Sequence, residues 1–152
     1  KAYRAYGAEL ETEYTVVEAG MQRPKVKEQD FVGKEAHLRH RDEEPAAILC
    51  TLTIDDHVSA SGVKRYPLGR EPITLLDGTP LVDSKGRRSY VTSAGAGPSV
   101  GKYILMAYLP PEHAVVGSGT LAVEYMNERF PVSVAVAGAT PLFDAENARI
   151  RS

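Results

Sequence analysis

The chain has 152 residues, 43% of them hydrophobic and 25% charged, with 18 basic against 20 acidic side chains and a net charge of -2. That length suits one domain with its own core, and the composition excludes disordered and fibrous classes. The near-neutral balance, without any long block of like charge, gives no footprint for nucleic acid or an anionic membrane, and no apolar run reaches membrane-spanning length.

The chain opens at Lys1 without a methionine, on the helix-like stretch "KAYRAYG" with no capping residue ahead of it. We therefore expect a piece of a longer protein. "KAYRAYG" reads as the last turns of a helix ended by Gly7, because glycine takes the left-handed C-cap conformation without steric cost. After an irregular stretch, "DFVGKEAHLRHRDEE" predicts a second short helix, with Asp30 as N-cap and Phe31, Val32, Ala36 and Leu38 on its apolar side.

From Pro45 the pattern changes to strands separated by turn signals, the spacing expected of a sandwich or barrel. "AAILCTLTID" sets Ile48, Cys50, Leu52 and Ile54 on one face. The single cysteine, Cys50, excludes a disulfide within one chain and reads as a buried strand thiol rather than a nucleophile. "EPITLLDGTPLVD" carries a short strand and an Asp-Gly turn, "RRSYVTS" another strand, and "KYILMAYLP" a strand apolar on both faces. "TLAVEYMNERFPVSVAVAG" is the clearest hairpin: Leu121, Val123 and Tyr125 alternate, a turn falls near Asn127-Glu128, and Val132, Val134 and Val136 alternate on the return. The expected fold is mainly β, an antiparallel β-barrel of about six strands behind a short helical lead-in. The division falls at 1–44 for the lead-in and 45–152 for the barrel.

Several features imitate chemistry. "SAGAGPSVGK", Ser93 to Lys102, has the wording of a phosphate-cradling loop. A P-loop, however, would need Gly in place of Ala96 and a hydroxyl in place of Tyr103, and Gly95, Gly97 and Gly101 miss the dinucleotide spacing. The strand-like "YILMAYLPP" that follows supplies no helix N-terminus, so a connection between two strands is expected. In "DDHV", Asp55 and His57 share a face and could do acid-base work, although polar residues at a strand end more often begin a solvated turn. His37 and His40 share a helix face, but without a further ligand pair no metal site is expected. "KGRRSY" gathers Lys85, Arg87 and Arg88 at a basic turn that is either solvated or meets a polyanionic ligand tail.

Read in order, "YRAYGAELETEYTVVEAGM" (Tyr3 to Met21), "DFVGKEAHLR" (Asp30 to Arg39) and the stretch from "YVTSAGAGPSVGKYILMAYLPPEH" to "TPLFDAENARIR" resemble the glycine-cleavage T-protein, or aminomethyltransferase, family over nearly the whole chain. The ending looks most like the T-protein-like module at the C-terminus of flavin-dependent dimethylglycine and sarcosine dehydrogenases or oxidases. The resemblance implies a tetrahydrofolate-associated domain in one-carbon metabolism, with residues 1–44 ending the folate-binding domain. It implies FAD in an N-terminal part ahead of Lys1, those N-terminal domains of the same chain as partners, and a small N-methylated amine as substrate. Cytoplasmic placement follows, or the mitochondrial matrix in a eukaryote.

The family's catalytic aspartate and most of its folate contacts would precede Lys1, so no catalytic or metal-binding residue is assigned and the isolated piece is expected to be inactive. By position the resemblance leaves Tyr6, Glu18, Arg149 and Arg151 as cofactor-binding candidates. Tyr6 packs on a folate ring or caps the helix-loop junction; Glu18 faces the ligand cavity or bonds backbone; the two arginines meet a glutamate tail or stay on the surface. The sequence departs from the family pattern at Ala94 and at "VGSGTLAVEY". Two other readings stand beside this one: a structural or interface domain that touches no ligand, and a stand-alone folate-dependent aminomethyltransferase or demethylase.

Overall fold

A computed structural model describes residues 1, 3–22, 25–149 and 151. Six antiparallel strands form one curled sheet in the order β2-β5-β6-β1-β4-β3. They are β1 (Ile48–Ile54), β2 (Ile73–Leu75), β3 (Val91–Gly97), β4 (Lys102–Leu109), β5 (Leu121–Tyr125) and β6 (Glu128–Ala137), and one helix, α1 (Lys34–Asp42), precedes them. The two edges meet at one end, where Ile73 N–H donates to Ser89 O at 3.0 Å and Val91 N–H to Glu71 O at 2.8 Å. This junction curls the sheet into a barrel, which removes the open edges that a flat sheet would expose there.

Alternation explains the core. Cys50, Leu52 and Ile54 of β1 point inward with Leu105 and Ala107 of β4, Leu121 and Val123 of β5, and Val132 and Val134 of β6. Outward from β1 and β4, a second cluster joins Leu49, Met106 and Tyr108 to Ala19, Leu10 and Tyr14 of the lead-in. β4 is apolar on both faces for this reason: the barrel takes one face and the lead-in covers the other.

The hairpin turn falls at Met126 and Asn127, whose φ of 52° and 61° are the two left-handed central residues of a type I′ turn, one position earlier than its sequence suggested. Val136 also departs from expectation. A register shift between Thr51 and Leu52 leaves Ala135 unmatched, so Val136 turns away from the core and Ala137 packs against it instead. One inserted residue reverses every side chain beyond it.

The lead-in differs most. Residues 5–10 form turns around Ala5 O, which accepts from the N–H groups of Ala8, Glu9 and Leu10, and no helix forms among the described residues of 1–7. Gly7 does take φ 84°, but the Ala5 carbonyl and the Glu9 carboxylate, which accepts the Ala5 N–H, hold these residues in turns instead. The second helix starts at Lys34 rather than after Asp30, because Gly33 at its N-cap has φ 84° with no side-chain cap, a conformation that cannot continue a right-handed helix backwards. "SAGAGPSVGK" is strand for half its length: Ser93 to Gly97 belong to β3, and only Pro98 to Gly101 form the turn.

Candidate functional site at the junction of lead-in and barrel

The lead-in is fastened by two buried carboxylates. Glu9, 1% exposed, accepts through Oε1 from Thr92 Oγ1 at 2.7 Å and Ser93 Oγ at 2.6 Å, and through Oε2 from Ala5 N–H at 3.0 Å. Glu18, 2% exposed, pairs through Oε1 with Arg87 and, at 3.7 Å, with Lys85, while Oε2 accepts Thr15 N–H at 2.8 Å. Arg87 also donates to Asp83 at 2.7 Å and to the Glu13 carbonyl. Its guanidinium lies 4.3 Å from the Tyr14 ring centre, and Tyr14 stacks on Tyr108 at 3.6 Å with planes 3° apart. Tyr108 closes the network by donating to Glu9 O at 2.7 Å.

The electrostatics follow from these partners. Burial by itself would push the Glu18 carboxyl up; the Arg87 hydrogen bond, the Thr15 N–H and the charges of Arg87 and Lys85 outweigh it and hold the group below its ordinary value. Burial pushes both the Tyr14 and Tyr108 phenols upward. Each oxygen of both carboxylates accepts at least one of these bonds, and together they hold the lead-in against the barrel. Backbone bonds complete the joint: Leu49 N–H donates to Glu18 O, and Gly138 N–H to Leu49 O, both at 2.9 Å.

The four residues singled out by position sit in different surroundings. Glu18 sits inside this network, whereas Tyr6 is 93% exposed. Arg149 is exposed with its guanidinium 5.1 Å from the Phe143 ring, and Arg151 is exposed at the end of the described chain. Lys1 reaches that same tail, donating to Asp144 O at 2.5 Å and Asn147 Oδ1 at 2.9 Å. Glu9 carries no pattern that marks it in the sequence, since a glutamate in an irregular stretch reads as solvated until its Thr-Ser partners arrive from 83 and 84 residues away. Arg87 is visible in "KGRRSY", but its buried carboxylates are not.

The other chemistry-like residues separate. Asp55 pairs with Lys102, while His57 packs on Tyr66 and Tyr103 at 4.8 and 6.1 Å between ring centres, its two ring nitrogens buried without a hydrogen-bond partner. No diad forms between them. Among the described residues no group of three His, Cys, Asp or Glu side chains is placed to hold a metal ion. Cys50 is buried in the core, which pushes its thiol up to about 12.

Fold and joint together define an antiparallel β-barrel domain strapped on its outer face by the segment that enters it. A family model described as the glycine cleavage T-protein C-terminal barrel domain matches residues 49–144. The chain belongs to that family. It is 28% identical over 131 residues to an aminomethyltransferase of Corynebacterium aurimucosum, covering 86% of this chain and 31% of that protein. It is 29% identical over 134 residues to an aminomethyltransferase of Streptomyces avermitilis, covering 85% and 32%. The chain thus spans about a third of the length of these relatives. In fold it is similar to the aminomethyltransferase T of the glycine cleavage system from Bartonella henselae, with a TM-score of 0.52 and 21% identity over 74% of this chain and 26% of that one.

Proposed function

We propose that this aminomethyltransferase-like barrel is the C-terminal, tetrahydrofolate-associated domain of a flavin-dependent N-methylglycine dehydrogenase or oxidase of the dimethylglycine or sarcosine type. The observation that carries the folate-associated part is the family match over 49–144, joined to relatives named aminomethyltransferase that devote about a third of their length to the matched part. The flavin part rests on the likeness of the ending "TPLFDAENARIR" to the module of those oxidoreductases. Tetrahydrofolate, when bound, supplies the nitrogen that takes up a one-carbon unit.

Three of the residues here are accessible to such a ligand. Tyr6 offers an exposed ring, and Arg149 and Arg151 offer exposed guanidinium groups suited to carboxylates. Glu18 is the buried member of the set: Arg87, Lys85 and Thr15 hold its carboxylate in place, and Oε2, with one donor, keeps acceptor capacity for a ligand. The glycines of "SAGAGPSVGK" do not fit a flavin's phosphates, because they lie in a β-hairpin with no helix N-terminus behind them. FAD would be held by other parts of the protein.

The test is to express the gene product at its natural length, record its visible spectrum, and assay sarcosine and dimethylglycine with and without tetrahydrofolate. A flavin spectrum bleached by either substrate is expected, with folate trapping the one-carbon product. A colourless protein that transfers aminomethyl groups would assign the stand-alone enzyme instead. A third reading, an interface domain, draws on one observation: Val16, Met21 and Val32 are exposed around a groove of about 560 Å3 that Lys25, Lys27 and Phe31 also line. Full folate affinity in a protein carrying Tyr6→Ala, Arg149→Ala and Arg151→Ala would favour it.

A further inference from the structure

The seam that joins β2 to the approach of β3 carries a groove of about 390 Å3 on the outside of the barrel, lined among others by Arg70, Thr74, Pro80, Arg88, Tyr90 and Glu124. Pro72 and Tyr90 bridge beneath it. The seam contains a bulge, because Arg70 N–H donates to Val91 O at 2.7 Å while Val91 N–H donates to Glu71 O at 2.8 Å, so two residues oppose one. The first bulge position is where glycine is comfortable in the left-handed region. Here it is an arginine at φ 76°, at a cost of roughly 1–2 kcal/mol for a side chain in that conformation.

A bulge re-aims the side chain it carries. The Arg70 guanidinium is brought over the Tyr90 ring, 5.6 Å from its centre, on the groove that Arg88 also lines. Among the described residues neither arginine side chain has a carboxylate partner, and the Arg88 side chain has no partner of any kind. The contrast with Arg87 is direct, since that neighbour is saturated by Glu18 and Asp83. The carboxylate on the far side of the groove, Glu124, faces Arg129 at 3.5 Å.

We propose that this groove binds a small organic carboxylate with a planar apolar body, its carboxylate groups held by Arg70 and Arg88 and its body lying against Tyr90, Pro72 and Pro80. Guanidinium forks match carboxylates in geometry as well as charge, and an aromatic wall beside two prolines favours a flat ligand over a compact inorganic anion. The site shares no residue with Tyr6, Glu18, Arg149 or Arg151, and the inference does not rest on the folate reading.

The test uses isophthalate as probe, titrated into the 152-residue chain and followed by amide proton-nitrogen NMR, with isophthalamide and inorganic phosphate as controls. Shifts confined to residues 70–74, 88–90 and 124 are expected with isophthalate, and none of comparable size with either control. Arg88→Ala and Arg70→Asn are each expected to weaken binding at least about tenfold, the loss of one charge-assisted contact. Arg70→Asn should do so without lowering the melting temperature, because asparagine tolerates the left-handed region better; a role in closing the barrel alone would leave binding unmoved. No isophthalate shifts up to about 20 mM, well above any useful affinity, or equal binding by isophthalamide, by phosphate or by both variants, would overturn the proposal.

Discussion

Glu18 is where charge and burial meet most sharply. Its carboxyl is held below its ordinary value of 4.5, so the ion pair contributes fully above that value and is lost as pH falls through the depressed one. Removing one partner of a buried pair leaves the other uncompensated, and Glu18→Gln is expected to cost about 3 kcal/mol at neutral pH. Urea unfolding between neutral and acidic pH checks both statements: wild type should lose stability on acidification more steeply than the variant. His57 poses the opposite case, an imidazole with both nitrogens buried and unpaired against two tyrosine rings. His57→Phe should stabilise by about 1 kcal/mol, seen in calorimetry as a rise of about 3 °C in Tm.

The strap is held by a few points at the scale of elements. Gly20, at φ 65°, lies so close to β6's exit that a Cβ would stand 3.0 Å from Ala139 N and 3.2 Å from Gly138 C. Gly20→Ala therefore combines backbone strain with a clash against main chain, and about 2 kcal/mol of lost stability is expected in urea titration. Arg87→Met keeps much of the stem that covers Tyr14 and removes the ion pairs to Glu18 and Asp83. Hydrogen exchange should then speed up at the Thr15 and Ala19 amides, both bonded within the strap, while Leu105 and Val134 in the barrel keep their protection. Equal acceleration in both places would show that strap and barrel open together.

At the scale of the molecule, two apolar clusters of the described residues are divided by one sheet, and the inner one encloses Cys50. A thiol 1% exposed and pushed up to about 12 offers almost no thiolate in the folded state. Alkylation of Cys50 is thus expected to follow global unfolding, with a rate that rises with urea in step with the unfolded fraction. Labelling that is fast in native buffer would reveal a local opening between β1 and its neighbours.

Alternating apolar residues in "AAILCTLTID" and "TLAVEYMNERF" determine strand, hairpin and inward face by themselves, because a period of two survives whatever the strand packs against. The spacing of Gly95, Gly97 and Gly101 likewise departs by itself from the phosphate-binding motifs. Tertiary structure decided what pairing across the chain decides: the bulge that expels Val136, the turns at residues 5–10 in place of a helix, and the burial of Glu9 and Glu18. A glutamate in an irregular stretch has the same local signature whether water or Arg87 receives it. Arg70 is the same kind of residue; only the bulge opposite Val91, with Arg70 at φ 76°, brings its guanidinium over Tyr90.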